Sequence, residues 1–293
     1  MQPINLSNIT VDKIELPAFR ENQLEAEVLR LDKIHPLVSG NKWFKLRYYL
    51  EDAKRLKYQS IATFGGAWSN HIIATAAACQ LHGFASIGII RGEKPAELSP
   101  TLLDAKAMGM QLIFVSRDEY QQKKIPGNLS PESYVINEGG YGISGAEGAA
   151  TILDYCKKEN YTHICCAAGT GTMAAGLVMA TAEEKKVVAV SVMKNNPEIG
   201  ENVNQLSNKS NFELIHDYHF EGYAKHNPML INFMNDFYRS TSVPSDFVYT
   251  GKLFYAITNL ASKKHFAPGS RLLLIHSGGL QGNASLSKGT LIF

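Results

Sequence analysis

Cysteine is scarce and unpatterned. The 293 residues contain four, Cys79, Cys156, Cys165 and Cys166, and none makes a Cys-x-x-Cys pair. A zinc site or disulfide framework is therefore not expected, and a reducing cytoplasm fits the thiols. Long apolar runs are missing as well. None approaches about 18 residues, and the opening MQPINLSNITVDKIEL lacks a basic-then-apolar leader, so neither a membrane span nor a secretory signal is expected. Charge of one sign is not in excess: 29 Lys and Arg stand against 27 Asp and Glu, a formal net charge of +2. That balance gives no footprint for nucleic acid. Repeats and low-complexity segments are absent, and Pro and Gly are scattered as turn punctuation. What is there is an ordinary soluble balance, 45% hydrophobic and 19% charged, in a chain long enough for one large or two ordinary domains.

Strand and helix patterns alternate. SIATFGG reads as a buried strand, and SNHIIATAAACQLHG as a helix capped by Ser or Asn with Gly83 past its end. ASIGIIRG is a strand, TLLDAKAMG a helix, QLIFVS and SYVINEGG strands. SGAEGAATILDYCKKEN then reads as a helix, THICCAAG as a strand, GTMAAGLVMATAEE as a helix, and KVVAVSVM and RLLLIHSGG as strands. Such alternation predicts an α/β fold of parallel sheets covered by helices. Ligands in such folds sit beyond the carboxyl ends of the strands, where the Gly-rich stretches FGGAWSNH, NEGGYGISG, AAGTGTMAAG and HSGG fall. We expect these four loops to converge on one crevice.

Three stretches could carry chemistry. In CCAAGTGTMAAG, Gly169 and Gly171 let consecutive N–H groups turn outward, and Thr170 and Thr172 add hydroxyls at a helix start, which suits a phosphate. A tight βα turn with close packing at Gly176 is the plainer alternative. The Gly169, Gly171, Gly176 spacing is not a dinucleotide fingerprint, the next strand ends without an acid for a ribose, and no Gly-Lys-Ser/Thr follows. A small phosphorylated cofactor remains. GGAWSNH puts Ser69, Asn70 and His71 at a second helix start, either as a cap with first-turn polar residues or as a grip for a carboxylate. Lys42, in LVSGNKWFKLRYYL, stands at a third. Most such lysines are solvated, but the helix dipole opposes a cation there and lowers its pKa, as an amine needs to form a Schiff base. A Schiff-base lysine and a phosphate cradle together point to pyridoxal 5′-phosphate.

With GNKWFKL, GGAWSNH, AAGTGTMAAGL, VYTGK and IHSGG in this order between about residue 30 and residue 282, the chain resembles the 1-aminocyclopropane-1-carboxylate deaminase and D-cysteine desulfhydrase family of fold-type-II pyridoxal-phosphate enzymes. The resemblance implies a tryptophan synthase β-like architecture. Two open, twisted, mostly parallel-sheet domains, residues 1–45 with 146–293 and residues 46–145, would hold the cofactor between them, usually in a homodimer. It implies that Lys42 binds the cofactor and moves the Cα proton, that Asn70 contacts the pyridine 3′-oxygen, and that Ser69, Asn70 and His71 grip the carboxylate of a small amino-acid substrate, with Ser69 also an acid or base. Gly169, Thr170, Gly171 and Thr172 would hold the phosphate. Tyr223 and Tyr249 would lie over the substrate, and Gly140 and Tyr141 close to it.

The same motifs separate two activities. Where the deaminases carry glutamate facing the pyridine nitrogen the desulfhydrases carry threonine, and here the residue is Thr250. Ser277 likewise places a hydroxyl where the deaminases have an apolar residue. A hydroxyl does not keep the ring nitrogen protonated as a carboxylate does, so α,β-elimination is expected in preference to opening a cyclopropane. The chain departs from the family at Ser39, Phe44 and Tyr141-Gly142, and the last pair points to a substrate other than D-cysteine. A non-catalytic binder of cofactor or amino acid would not require Lys42.

Overall fold

The strand–helix alternation resolves into two separate sheets. The computed structural model describes residues 2–293. In chain order the strands are β1 (Val11–Ile14), β2 (Glu25–Arg30), β3 (Ser60–Gly65), β4 (Ala85–Arg91), β5 (Gln111–Val115), β6 (Ser133–Ile136), β7 (His163–Ala168), β8 (Lys186–Ser191), β9 (Phe212–Ile215) and β10 (Arg271–His276). One sheet has the order β1-β2-β10-β7-β8-β9, the other β5-β4-β3-β6. Every pairing is parallel except β1 with β2. The smaller sheet is thus a continuous piece of chain placed between β2 and β7 of the larger.

The central strands are apolar on both faces, as burial between two helical layers requires. Alternate residues divide between two cores. Cys165, Ala167, Val188, Val190, Leu272 and Leu274 pack on one side of the large sheet, and Ile164, Cys166, Ala168, Val187, Ala189, Leu273 and Ile275 on the other. All four cysteines are free thiols. Among the described residues, no helix is long and apolar enough to cross a membrane.

Two helices are shorter than their patterns predict. The helix expected over residues 144–160 is α-helical only over Ile143–Ala150 and continues as 3-10 turns over Thr151–Tyr155 and Lys158–Asn160. The Thr151 hydroxyl donates to the Gly148 carbonyl at 2.7 Å, which favours the tighter turn. The helix after GTGT stops at Ala180, because Thr181 is extended and its hydroxyl takes the Leu177 carbonyl.

Strand order fixes where a ligand can sit. In the large sheet β8 and β9 build outward from one side of β7 while β10 lies on the other. In the small sheet β4 and β5 build outward from β3 while β6 lies opposite. The loops after β7 and β10, and those after β3 and β6, therefore flank the two topological switch points.

Glycines set the helix carrying Lys42, Asn41–Arg55, against its neighbours. A Cβ on Gly148 would lie 2.0 Å from the Phe44 carbonyl oxygen, and one on Gly176 would lie 2.3 Å from that of Ala146. Both contacts are backbone, so neither relaxes by a side-chain rotation. Gly148→Ala should push the Lys42 helix outward and cost about 1–3 kcal/mol in overpacking. Thermal or urea unfolding measures this, and an unchanged midpoint would show that the helices do not approach through glycine.

Candidate active site

Lys42 occupies the first turn of its helix, directly after a backbone-to-backbone contact. Gly40, the cap residue, has φ +60°, and a Cβ there would sit 1.9 Å from the Ser277 carbonyl oxygen, so the position tolerates only glycine. The Asn41 N–H donates to that carbonyl at 3.2 Å. The SGN turn is thus seated on the loop that follows β10. The Lys42 ammonium donates to Asn41 Oδ1 at 2.9 Å and stands 5.6 Å from the centroid of the Tyr249 ring. Burial lowers its pKa to about 8, and the Asp246 carboxylate offsets part of that shift.

Lys45, one turn along the same helix, is buried where Lys42 is half-buried, and donates to the Gly139 carbonyl. Burial and then the Lys42 charge depress its pKa strongly. Beside it lies His71, whose pKa is pushed down by burial, Lys45 and Lys42. The Thr63 hydroxyl donates to the Ile136 carbonyl, so His71 Nε2, 2.9 Å from that hydroxyl, carries the proton toward it. His71 Nδ1 is then a buried acceptor without a partner. Gly140 closes this corner: a Cβ on it would lie 3.3 Å from Lys45 Cβ and 3.6 Å from His71 Cε1.

Ser69 caps the helix Asn70–His82, its hydroxyl oxygen accepting from the His71 and Ile72 N–H groups at 3.2 and 3.4 Å. Its hydroxyl proton and the Asn70 N–H remain for a ligand. The buried Asn70 side chain lies against the loop after β10, with Nδ2 2.9 Å from where a Cβ on Gly279 would be. Tyr141 takes a different course. Its carbonyl accepts the Tyr49 hydroxyl, and its own hydroxyl donates to Gln205 at 3.3 Å, on the helix Glu198–Ser207.

Gly171, at φ +84°, caps the helix Thr172–Ala180, whose first N–H groups have no partner within the helix. The Thr170 and Thr172 hydroxyls lie 2.9 Å apart at this end, and Asn202 Nδ2 fixes the Thr170 carbonyl at 3.2 Å. A Cβ on Gly139 would press on Thr170 at 2.9 Å, and one on Gly169 would meet the Tyr249 ring at 3.3 Å. All four glycine-rich loops therefore touch in pairs around one space.

The opposite wall is organised by Asp246, a residue that the motifs did not single out. Its buried carboxylate accepts from the Val248, Tyr249 and Thr250 N–H groups and from the Thr250 hydroxyl, all at 2.7–2.9 Å. The Thr250 hydroxyl also accepts the Asp246 N–H, which leaves it a single lone pair and no proton for a ligand. Ser277, buried after β10, retains its hydroxyl proton. Tyr249 and Tyr223 meet edge to face, with ring centroids 5.9 Å and hydroxyls 3.4 Å apart. The fully buried Lys252 donates to the His219 and Gly222 carbonyls and so braces the left-handed turn that presents Tyr223. The signal for Asp246 lay in its place just before a helix, and that for Lys45 in its place three residues beyond Lys42.

A pyridoxal phosphate fits these donors and spaces. An amine with a lowered pKa, a helix N-terminus with free N–H groups, glycines where a Cβ would intrude, and an unpartnered buried imidazole nitrogen face one another. The family described as "Pyridoxal-phosphate dependent enzyme" matches residues 11–278. A Thermotoga maritima protein with a provisional name of 1-aminocyclopropane-1-carboxylate deaminase is 29% identical over 87% of this chain and 88% of its own. The bifunctional D-cysteine desulfhydrase/1-aminocyclopropane-1-carboxylate deaminase of Arabidopsis thaliana is 29% identical over 89% of this chain and 74% of its own. The crystal structure of an ACC deaminase homologue superposes with a TM-score of 0.83 at 26% identity, covering 94% of this chain and 90% of that one. The chain belongs to the pyridoxal-phosphate dependent enzymes.

Proposed function

We propose that the protein is a lyase that carries out α,β-elimination on a small amino acid in the manner of a D-cysteine desulfhydrase, releasing pyruvate, ammonia and the β-substituent, which for cysteine is sulfide. The observation that carries this reading is the saturation of Asp246. The carboxylate nearest Lys42 has its oxygens filled by three backbone N–H groups and the Thr250 hydroxyl, so no free acid faces the space from that wall. Of the two hydroxyls expected near the ring nitrogen, that of Ser277 keeps a proton to donate, and a hydroxyl donor there does not protonate the ring as a carboxylic acid would. Cyclopropane opening, the rival reading, needs the stronger electron withdrawal that such a carboxylate would give.

Each residue has a share. Ser69 and Asn70, with the helix start behind them, hold and orient the substrate carboxylate. Gly169, Thr170, Gly171 and Thr172 anchor the phosphate through N–H and hydroxyl donors. The cofactor, when bound, supplies the electron sink that makes the α-proton acidic. Lys42, its charge form disfavoured by burial, takes that proton at Nζ. Tyr249 and Tyr223 cover this side and exclude water. Tyr141 supports a substrate other than D-cysteine, because its side chain is committed to Gln205. The free thiols suit a reducing cytoplasm.

Two outcomes follow from this assignment. Capture of pyridoxal phosphate by the cofactor-free protein needs a neutral Lys42 amine, whose fraction rises tenfold per pH unit until the pKa is reached. The second-order capture rate, followed by visible absorbance between pH 6.5 and 10, should climb and then level off near pH 8. A rate still climbing past pH 9 would assign the reaction to an ordinary solvated lysine. The loaded protein should also form pyruvate from β-chloroalanine of one hand, with D- and L-cysteine and D-serine assayed beside it. It should form less than about one-hundredth as much 2-oxobutyrate from 1-aminocyclopropane-1-carboxylate, since about 3 kcal/mol of lost carbanion stabilisation is a factor of that size. Efficient 2-oxobutyrate formation would reverse the assignment.

A further inference from the structure

A cavity of about 1000 Å³ lies at the carboxyl ends of β3, β4 and β5. It adjoins the site along two loops. Gly66, Ala67 and Trp68 line it and run directly into Ser69–His71, while Glu138 lines it and precedes Gly139, the acceptor of Lys45. Pockets of about 300–1,000 Å³ bind drug-sized ligands, so a three-carbon amino acid would leave most of this volume empty. The walls are cationic on balance, with Arg91, Arg117 and Lys123 against Glu93 and Glu138. Lys123 and Glu138 pair at 2.6 Å, and Lys123 also lies over the Tyr120 ring, which fixes both charges.

The two arginines are not engaged in this way. The arginines in ion pairs among the described residues are Arg30, Arg55, Arg239 and Arg271. Arg91 ends β4 beside the carboxylate-gripping loop, with a guanidinium nitrogen 3.9 Å from where a Cβ on Gly66 would be and its Cζ 5.8 Å from the Tyr120 ring centroid. Tyr120, 4% exposed, lines the same wall with its ring, and its buried hydroxyl is directed toward Glu138. A guanidinium without a carboxylate partner, lining a cavity that is cationic on balance, is complementary to an anion with oxygen acceptors.

We propose that the substrate is a β-substituted alanine whose leaving group carries a second acidic function, a carboxylate or similar anion, recognised by Arg91 with Tyr120 beside it. This rests on the lyase reading and specifies what leaves. With a thioether substrate, the α-proton goes to Lys42, and the carbon–sulfur bond breaks with its electron pair on sulfur. The acid-bearing thiolate departs through the cavity. Water hydrolyses the remaining three-carbon fragment to pyruvate and ammonia. The Tyr141 side chain turns to Gln205 and does not line this cavity.

A nearly isosteric pair tests the charge alone. S-Carboxymethylcysteine and S-carbamoylmethylcysteine, of both hands, differ only in carboxylate against amide. The loaded protein should prefer the acid by about tenfold or more in kcat/KM, the size expected for one charge-assisted hydrogen-bonded contact. In Arg91→Met the acid-to-amide ratio should fall toward one, and Arg91→Lys should keep part of it. A ratio near one in the unmodified protein, or a ratio that survives Arg91→Met, overturns the proposal. The same ratio can be read from dissociation constants, using the change in the bound cofactor's visible spectrum on ligand addition. Should neither compound nor β-chloroalanine yield pyruvate, the lyase reading fails, while the binding ratio still decides whether Arg91 selects an anion.

Discussion

Two lysine amines one helical turn apart, Lys45 buried and Lys42 half-buried, cannot both hold a proton cheaply, and the site is arranged around that constraint. Lys42 is brought to a pKa of about 8, a bias of roughly 3 kcal/mol against its charged form compared with a solvated lysine. Lys45 is shifted further, with burial and then Lys42 as the causes. The His71 pKa is pushed down by burial first and then by both lysines. Asp246 works in the other direction: its charge keeps Lys42 from falling lower, yet its oxygens are filled by its own helix start. The carboxylate therefore acts on Lys42 through its field without forming an ion pair that would tie up the amine. The result is a lysine about a tenth neutral at pH 7, a few hundredfold more than a solvated lysine, and so better able to act as a nucleophile.

The backbone holds this arrangement in place. Gly40 against Ser277, Gly148 against Phe44 and Gly145 against Gly140 are contacts that a Cβ would forbid, since each would fall within 1.9–2.1 Å of a carbonyl oxygen. Loops that touch through backbone have little freedom to drift, so Lys42 and the helix starts at Gly171 and Ser69 keep their spacing. The two switch points supply the empty space between them.

Much of this was readable in the sequence, for identifiable reasons. Apolar runs separated by Gly-rich turns specify strands and the helix starts after them, and the Ser69 cap and the Gly83 stop follow local rules. Lys42, Asn70 and the GTGT turn stood out because special residues cluster in short stretches. Asp246 did not, because its role comes from three N–H groups that turn back on it once the helix Thr250–Ser262 forms. The early end of the helix at Ala150 depends on one threonine hydroxyl competing for a carbonyl, which periodicity does not register. Tyr141 was placed near the substrate by its position in the chain, whereas its side-chain direction depends on Gln205, 64 residues away.

The electrostatic account and the family membership meet at one atom, Nζ of Lys42. Lys45 is the natural competitor, being buried, depressed in pKa and on the same helix, but its amine is taken by the Gly139 carbonyl. Reduction of the yellow, cofactor-loaded protein with borohydride, followed by peptide mapping, distinguishes the two directly. The pyridoxyl group on Lys42 is the predicted result, and its appearance on Lys45 would contradict the account.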